Sequence, residues 1–238
     1  MEFINLKRGS FFIKSALVFA LIVATFQINF STASAKETKS ENLSTFENYV
    51  SISKEVADVE LHQMLLEEVK GALVADESLI SVSQDKIDLE NTKLMSTESE
   101  DQTYHSIVVP LSTFGNHELS NVTFLFSEEG ELLTVNELHM IKNNDGNTTV
   151  SMYVNGKNVT SIDTQETFMT VAEVRSQGIT SRNIIGSLAE CIGVTTEVAT
   201  AIVTGCGVLC AITAGVGCLP CLAAAAGVGV GGLIGCRL

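Results

Sequence analysis

The sequence predicts an exported α+β protein that ends in a disulfide-rich helical hairpin. Three observations predict it: an apolar segment near the N-terminus, a helical pattern followed by period-two strands, and six cysteines confined to the last quarter of the chain. Residues 36–186 carry 10 Lys and Arg against 25 Asp and Glu, whereas residues 187–238 carry one Arg against two Glu. We therefore expect a signal peptide over 1–35, an acidic α+β domain over 36–186 and a cysteine-rich apolar peptide over 187–238.

The N-terminus has the features of a secretory signal peptide. Three cations within residues 7–14 precede an apolar run of 11 residues at 16–26, which is short for a membrane span and typical of an h-region. The Ala-Ser-Ala at 33–35 matches a cleavage site, so we expect cleavage between Ala35 and Lys36. We therefore predict a secreted protein. If the segment is instead an uncleaved membrane anchor, the protein would lie at the cell surface or in the membrane.

The acidic region begins with a helical pattern and continues with strands. After a polar leader at 36–45, apolar residues over 46–74 recur at spacings of three and four, which predicts a helix. Residues 75–101 are polar and leave room for one or two short strands, around Ile80, Val82, Ile87 and Leu89.

From Tyr104 the period changes to two. The predicted strands cover 106–111, 121–126, 131–141, 148–154 and 157–162. Asn155-Gly156 is the strongest of several hairpin signals between them. We expect an antiparallel meander of four or five strands, packed on the helix and with one wet face that suits the Thr, Ser and Asn positions. A short helix within 165–177 and a linker through Gly178 and Gly186 complete the region.

The cysteines follow a nearly symmetrical spacing, with 14, 3, 7, 2 and 14 residues between them. A chain folded back near residues 213–214 would bring the members of three pairs face to face. Although many connectivities are possible for six cysteines, this symmetry favours a nested set. The expected pairs are Cys191–Cys236, Cys206–Cys221 and Cys210–Cys218.

The residues around the cysteines predict a helical hairpin. Residues 194–212 are apolar and long enough for one helix, residues 211–217 supply glycines for a turn, and Pro220 suits the first turn of a second helix that runs to about Ile234. A metal site is the alternative use of the cysteines. Because the tail has no histidine and only Cys218 and Cys221 have CxxC spacing, disulfides in an exported protein are the better interpretation.

Composition and motifs disfavour two classes of function. The acidic middle region lacks the basic patch that binds phosphates, so we expect no nucleic-acid partner. Four histidines, His62, His105, His117 and His139, are scattered along the chain, and no recognisable catalytic or phosphate-binding motif occurs. We expect no catalytic residues, no cofactor and no metal, and thus a protein that is not an enzyme.

A resemblance adds a function to this picture. The run from Cys206 to Cys218 has the spacing C-x3-C-x7-C within Gly, Ala and Val. It resembles the cysteine-rich C-terminal peptide of halocin C-eight and its bacterial relatives, although this chain has fewer cysteines and no twin-arginine signal. The resemblance implies a bacteriocin precursor. A processing protease would release the C-terminal peptide as an antimicrobial, and the acidic middle region would be the propeptide or immunity part.

The physical character of the tail agrees with this function. An uncharged run of 39 residues, 198–236, is poorly matched to water and well matched to a bilayer. The expected partners are the target-cell membrane, the chain's own acidic region and a protease that cleaves between about Arg175 and Cys191. Two alternatives remain open: a secreted binding or adhesion module with a disulfide-stabilised tail, and a membrane-anchored surface protein with the tail as a spanning hairpin.

Overall fold

The structure is a computed structural model, and it describes residues 53–99, 102–112, 116–178, 184–213 and Cys221. All of these residues belong to one compact unit. They form helices and an antiparallel sheet, so the predicted α+β class is confirmed. The expected signal peptide, the cleavage site at Ala35 and Lys36, and most of the second tail helix lie outside the described residues.

Most of the described strands follow one another directly along the chain, and three of the four described helices come after the last strand. The strands are β1 (Ser53–Glu55), β2 (Lys93–Ser99), β3 (Gln102–Pro110), β4 (Asn121–Phe126), β5 (Leu132–Lys142), β6 (Asn147–Val154) and β7 (Lys157–Thr167). The helices are α1 (Val59–Ala75), α2 (Val171–Ser176), α3 (Ile184–Ile192) and α4 (Thr196–Ile212).

The seven strands form one sheet in the order β1 to β7, and every neighbouring pair is antiparallel. The predicted meander is therefore confirmed, and two further strands, β1 and β2, precede its five predicted strands. Asn155 and Gly156 have φ angles of 47° and 71° and join β6 to β7. Such positive φ angles at both central residues match the right-handed twist of a hairpin, which explains why this dipeptide predicts the turn correctly.

The first helix begins later than the sequence predicts. Within the described part of the predicted span 46–74, β1 comes first and pairs with β2, and the helix starts at Val59. The Asp58 side chain accepts a hydrogen bond from the Leu61 amide at 3.0 Å, which caps the helix. A periodicity of three and four cannot show where a cap interrupts the pattern, so the predicted start was wrong.

The polar stretch 75–101 holds one of the short strands for which it left room, β2, but turns occupy the alternating part from Ile80 to Leu89. Two 3-10 turns, Glu77–Leu79 and Gln84–Lys86, lie between α1 and β2, and Ile87 forms only an isolated bridge to Leu111. Asp76 accepts hydrogen bonds from both the amide and the hydroxyl of Ser78, at 2.9 and 2.6 Å. This local capping favours a tight turn over an extended chain.

Helix α1 covers one face of the sheet, here called the first face. Leu65, Val69 and Leu73 are the buried residues of the helix. They pack in one core with residues from β2 to β5, namely Leu94, Ile107, Val109, Val122, Phe124, Phe126 and Val135. The predicted packing of the helix on the sheet is therefore correct.

The opposite face, here called the second face, is not wet as expected. All six residues of β4 are buried, including Asn121 and Thr123. The Thr123 hydroxyl donates to the side-chain oxygen of Asn121 at 3.1 Å, and the Asn121 amide donates to the Leu119 carbonyl at 2.8 Å. Because their polar groups are satisfied by each other and by the backbone, these side chains are tolerated inside the protein. Polar residue type alone therefore misplaced them.

The C-terminal helices differ from prediction mainly at their start. The short helix α2 and the tail helix α4 occur where expected, and Gly178, with a φ of 62°, follows α2. The predicted linker through Gly186 was wrong, because Gly186 lies inside α3. The composition boundary at residue 186 therefore falls within a helix.

Candidate functional site

The apolar tail and the acidic sheet meet on the second face. On β5 and β6 this face presents four buried apolar side chains: Leu138, Met140, Val150 and Met152. Buried residues of α3 and α4 join them in one core, including Leu188, Ile192, Val198, Ile202, Cys206 and Leu209. Thus the strand side chains that point away from α1 cover the predicted antimicrobial segment.

Helix α4 is suited to this position by its small residues. Gly205 faces Met152 so closely that a Cβ atom there would lie 2.6 Å from the Sδ and Cε atoms of Met152. Ala199 and Ala201 are also buried. Small side chains allow a helix axis to approach the sheet, and the long flexible Met152 fills the remaining space.

One disulfide lies at this contact. Cys206 and Cys221 are bonded, with Cα atoms 5.6 Å apart, and they form one of the three pairs expected from the spacing. Both are buried, and the Cys221 Sγ lies 3.7 Å from the Met152 Sδ. The bridge therefore attaches the chain beyond α4 to the sheet side of the helix.

The other predicted site cysteines are only partly described. Cys191 on α3 and Cys210 on α4 are both disulfide-bonded. Their expected partners, Cys236 and Cys218, lie outside the described residues. The nested connectivity as a whole stays a prediction.

Polar contacts tie the tail helices to the acidic region. Glu197 of α4 accepts a hydrogen bond from the Gln165 amide of β7 at 2.7 Å. Arg175 of α2 donates to the Cys191 carbonyl of α3 at 3.5 Å. These contacts lie at exposed positions, so they orient the helices while apolar burial supplies most of the stabilisation.

A glycine also shapes the junction between α3 and α4. Gly193 has a φ of 75°, and a Cβ atom there would lie 2.5 Å from the Cγ1 of Val171 in α2. The next threonine, Thr195, caps α4 by accepting a hydrogen bond from the Val198 amide at 3.3 Å. The bend between the two tail helices therefore has a defined local cause.

A small cavity lies beneath the start of α4. It is an open-mouthed space of about 190 Å³, a volume that includes solvent at the mouth, and its interior has room for about one water molecule. The lining residues come from the sheet, from α2 and from the α3–α4 junction: His117, Met140, Thr148, Thr167, Met169, Val174, Val194, Thr195 and Val198. His117 is the one ionisable side chain in this lining.

The four histidines, treated as scattered in the sequence, have different environments. His62 hydrogen-bonds Thr92 at 2.8 Å, and His139 lies 2.9 Å from the buried carboxylate of Glu137. His105 and His117 each have a buried ring nitrogen without a hydrogen-bond partner in the described part of the chain. The structure does not bring the four together.

The Glu137 carboxylate is a second buried polar feature that sequence reasoning missed. It accepts hydrogen bonds from the Ser81 amide and hydroxyl, both at 2.8 Å, in addition to the His139 contact. His139 also stacks on Tyr153, with ring centroids 4.6 Å apart. Because Ser81 belongs to the turn segment after α1, this cluster anchors that segment to the sheet. The Glu-x-His alternation on a strand was the available signal.

The described residues also bear on metal binding and on membrane crossing. No group of three or more potential ligands that could hold a metal ion occurs among them. Within the same residues no single helix is long and apolar enough to cross a membrane, whereas the bent pair Ile185–Ile192 and Thr196–Ile212, with 104° between its helices, meets the requirement by length and composition.

Comparisons of the chain with protein-family models, with curated proteins and with solved structures found no match.

Proposed function

We propose that the protein is a secreted bacteriocin-type precursor whose C-terminal cysteine-rich peptide is released and acts on target-cell membranes. The observation that carries the proposal is the burial of α4 on the second face of the acidic sheet. Helix α4 has a single charged residue, Glu197, among its 17 residues. Such a helix needs cover in water, whereas a bilayer accepts it uncovered.

The acidic region acts as that cover. Its excess of carboxylates keeps the precursor soluble, while Leu138, Met140, Val150 and Met152 occupy the apolar side of the tail. The same four side chains would be available to a released copy of the peptide. The same apolar surface could therefore cover the tail within the precursor, as a propeptide, and bind a released peptide, as an immunity protein.

The helix boundaries narrow the expected cleavage position. Helix α2 ends at Ser176 and α3 begins at Ile184, so cleavage within 177–183 leaves both helices whole. It also keeps all six cysteines on the released peptide. Cleavage farther along, between residues 184 and 191, would cut α3 and separate its first turn from the peptide.

A secreted binding or adhesion module is the second candidate. It is favoured by the core that the tail shares with the sheet, because a common core is what a permanently intact domain requires. In that case the disulfides stabilise the domain, and no peptide is released.

The deciding experiment is mass spectrometry of the culture supernatant followed by dye release from liposomes. We expect a disulfide-bonded peptide that begins within 178–184, together with its acidic counterpart. The oxidised peptide should release dye from liposomes, and the intact precursor should not. Because the peptide has almost no charge, release should vary weakly with salt and with anionic lipid.

Matched samples make this result specific. The same peptide, reduced and alkylated, controls for hydrophobicity alone, and the acidic fragment 36–178 added to the oxidised peptide should suppress release. An intact chain in the supernatant, without dye release or killing of related strains, would contradict the proposal and leave the binding module in first place.

A further inference from the structure

His117 lies where the sheet, α2 and the start of α4 meet. Its side chain is 2% exposed, and the ring lines the cavity beneath Val194, Thr195 and Val198. The ring also makes an edge contact with Phe168, with centroids 5.8 Å apart. A change in this ring therefore acts directly on the surface that supports the tail helix.

The hydrogen bonds of the ring define its neutral tautomer. Nδ1 accepts a hydrogen bond from the Leu119 amide at 3.2 Å, so the proton of the neutral ring is assigned to Nε2. Nε2 is buried and forms no hydrogen bond of normal geometry among the described residues, although the Met169 backbone lies near enough to favour the protonated ring. The cavity beside the ring has room for about one water molecule. A proton added at Nδ1 would break the bond from Leu119 and place a charge on a buried ring beside this small cavity.

We propose that His117 is a pH-sensitive contact that weakens the docking of α4 on the sheet when its ring is protonated. The geometry couples the ring to the helix, because the ring lines one cavity together with residues of the sheet, of α2 and of the α3–α4 junction. A charged ring would draw solvent into the cavity and oppose the apolar packing of Val194 and Val198.

One carboxylate contacts the ring, and it adds to the coupling. The Glu118 Oε2 lies 3.6 Å from Nδ1 and also accepts a hydrogen bond from the Val171 amide, at the start of α2, at 3.4 Å. Attraction to a charged ring would compete with that bond to α2. The Glu118 side chain is 38% exposed, so solvent screens its attraction and it compensates the buried charge only in part.

None of the other charged groups on the surrounding elements is among the lining residues of the cavity. They are Glu137, His139 and Lys142 on β5, Lys157, Asp163 and Glu166 on β7, Glu173 and Arg175 on α2, Glu190 on α3, and Glu197 on α4. Of these, Glu137 and His139 are buried, but they pair with each other, and Glu137 alternates onto the first face with Val135. The response is therefore assigned to His117 and Glu118.

The direction of the effect follows from proton linkage. Burial lowers the pKa of His117, and the Glu118 carboxylate and the Met169 backbone oppose that shift without reversing it. The unfolded chain therefore binds the proton more readily than the folded chain does. The neutral ring therefore stabilises the folded chain above the ordinary histidine pKa. This contribution is lost as the pH falls through that value toward the lower pKa of the folded state.

This inference concerns docking within the intact chain and does not need the proposed antimicrobial activity. If that activity holds, acid would promote the separation of the cleaved peptide from its cover. The test below uses the uncleaved chain without membranes, so its failure and the failure of the proposed function are separate results.

The test is hydrogen–deuterium exchange of the full oxidised chain at pH 7.5 and pH 5.0, normalised for intrinsic exchange. In the wild type, peptides from Thr196–Ile212 should exchange about threefold faster or more at the lower pH. His117→Asn keeps an acceptor near Nδ1 and does not titrate in this range, so its α4 exchange should lose the pH response. The control is His105→Asn, since burial also lowers the pKa of His105, which lies on the first face. That variant should keep the α4 response.

A second measurement covers the case in which His117→Asn does not fold. An NMR titration of the wild type should show the His117 ring resonance and the α4 amide resonances changing with one common midpoint. The proposal is overturned by α4 exchange that does not depend on pH, by a response that persists in His117→Asn, by its loss in His105→Asn, or by unequal midpoints.

Discussion

Gly205 of α4 packs directly against Met152 of β6, and a Cβ atom at Gly205 would lie 2.6 Å from two atoms of the Met152 side chain. Met152 is fully buried, so a shift of its flexible end must displace neighbouring side chains of the core. This contact packs the apolar tail on the acidic sheet, and a single added methyl group at Gly205 should disturb that packing.

Gly205→Ala should therefore destabilise the protein although alanine favours helices. The matched control is Gly71→Ala in α1, where an added Cβ meets no atom within 4 Å. We expect Gly71→Ala to raise the free energy of unfolding by about 0.5–1 kcal/mol and Gly205→Ala to lower it by about 1–3 kcal/mol. Urea unfolding of the two variants measures both values, and equal stabilisation by both would show that the contact is not tight.

The hairpin turn at Gly156 should tolerate no side chain. A Cβ atom there would lie 2.0 Å from the Ser78 carbonyl oxygen, which belongs to the backbone. Gly146 also has a positive φ, but the nearest atom to its Cβ is the Lys142 Cε at 3.7 Å. We expect Gly146→Ala to cost about 1–2 kcal/mol from left-handed strain and Gly156→Ala at least about 3 kcal/mol. Thermal or urea unfolding should separate them, and similar losses would contradict the predicted clash.

Glu137 should be essential for anchoring the turn segment to β5. Glu137→Ala leaves the Ser81 amide, the Ser81 hydroxyl and His139 without their acceptor, and should cost about 3–5 kcal/mol. Glu129→Ala, at an exposed position, should change the stability by less than about 0.5 kcal/mol. Denaturant unfolding measures both. A small loss for Glu137→Ala would mean that water replaces the carboxylate at little cost.

The Cys206–Cys221 bridge should stabilise the protein, because the loop that it closes restricts the unfolded chain. For a sequence separation of 15, the double variant Cys206→Ser with Cys221→Ser should lose about 3 kcal/mol, because the unfolded chain regains its freedom. Urea unfolding under non-reducing conditions measures the loss, and the wild type unfolded with reductant is the reference.

The nested connectivity makes a separate prediction for peptide mapping. Partial reduction should yield a Cys191–Cys236 peptide and a Cys210–Cys218 peptide beside the Cys206–Cys221 one. Recovery of Cys191 bonded to Cys218 would contradict the symmetrical hairpin. These two cysteines lie at unequal distances from the turn near residues 213–214, so they would not meet.

Local patterns were enough for much of the fold. The two-residue period over β3 to β7, the Asn155-Gly156 turn and the apolar run of α4 each depend on neighbours in sequence, so their prediction was correct. The start of α1 was missed for two reasons. The Asp58 cap is local but does not change the apolar spacing, and the pairing of β1 with β2 joins residues about 40 positions apart.

The sequence by itself determined most of the helices and strands, where the cysteines concentrate and how the charge is divided. Only the tertiary structure decided that the second face of the sheet covers the tail, since the contact of Gly205 with Met152 depends on the path of the chain between them. It also decided that Asn121, Thr123 and Glu137 are buried, because each finds its hydrogen-bond partners inside the fold. Burial of a polar group is a property of the partners that surround it, and residue type alone does not specify them.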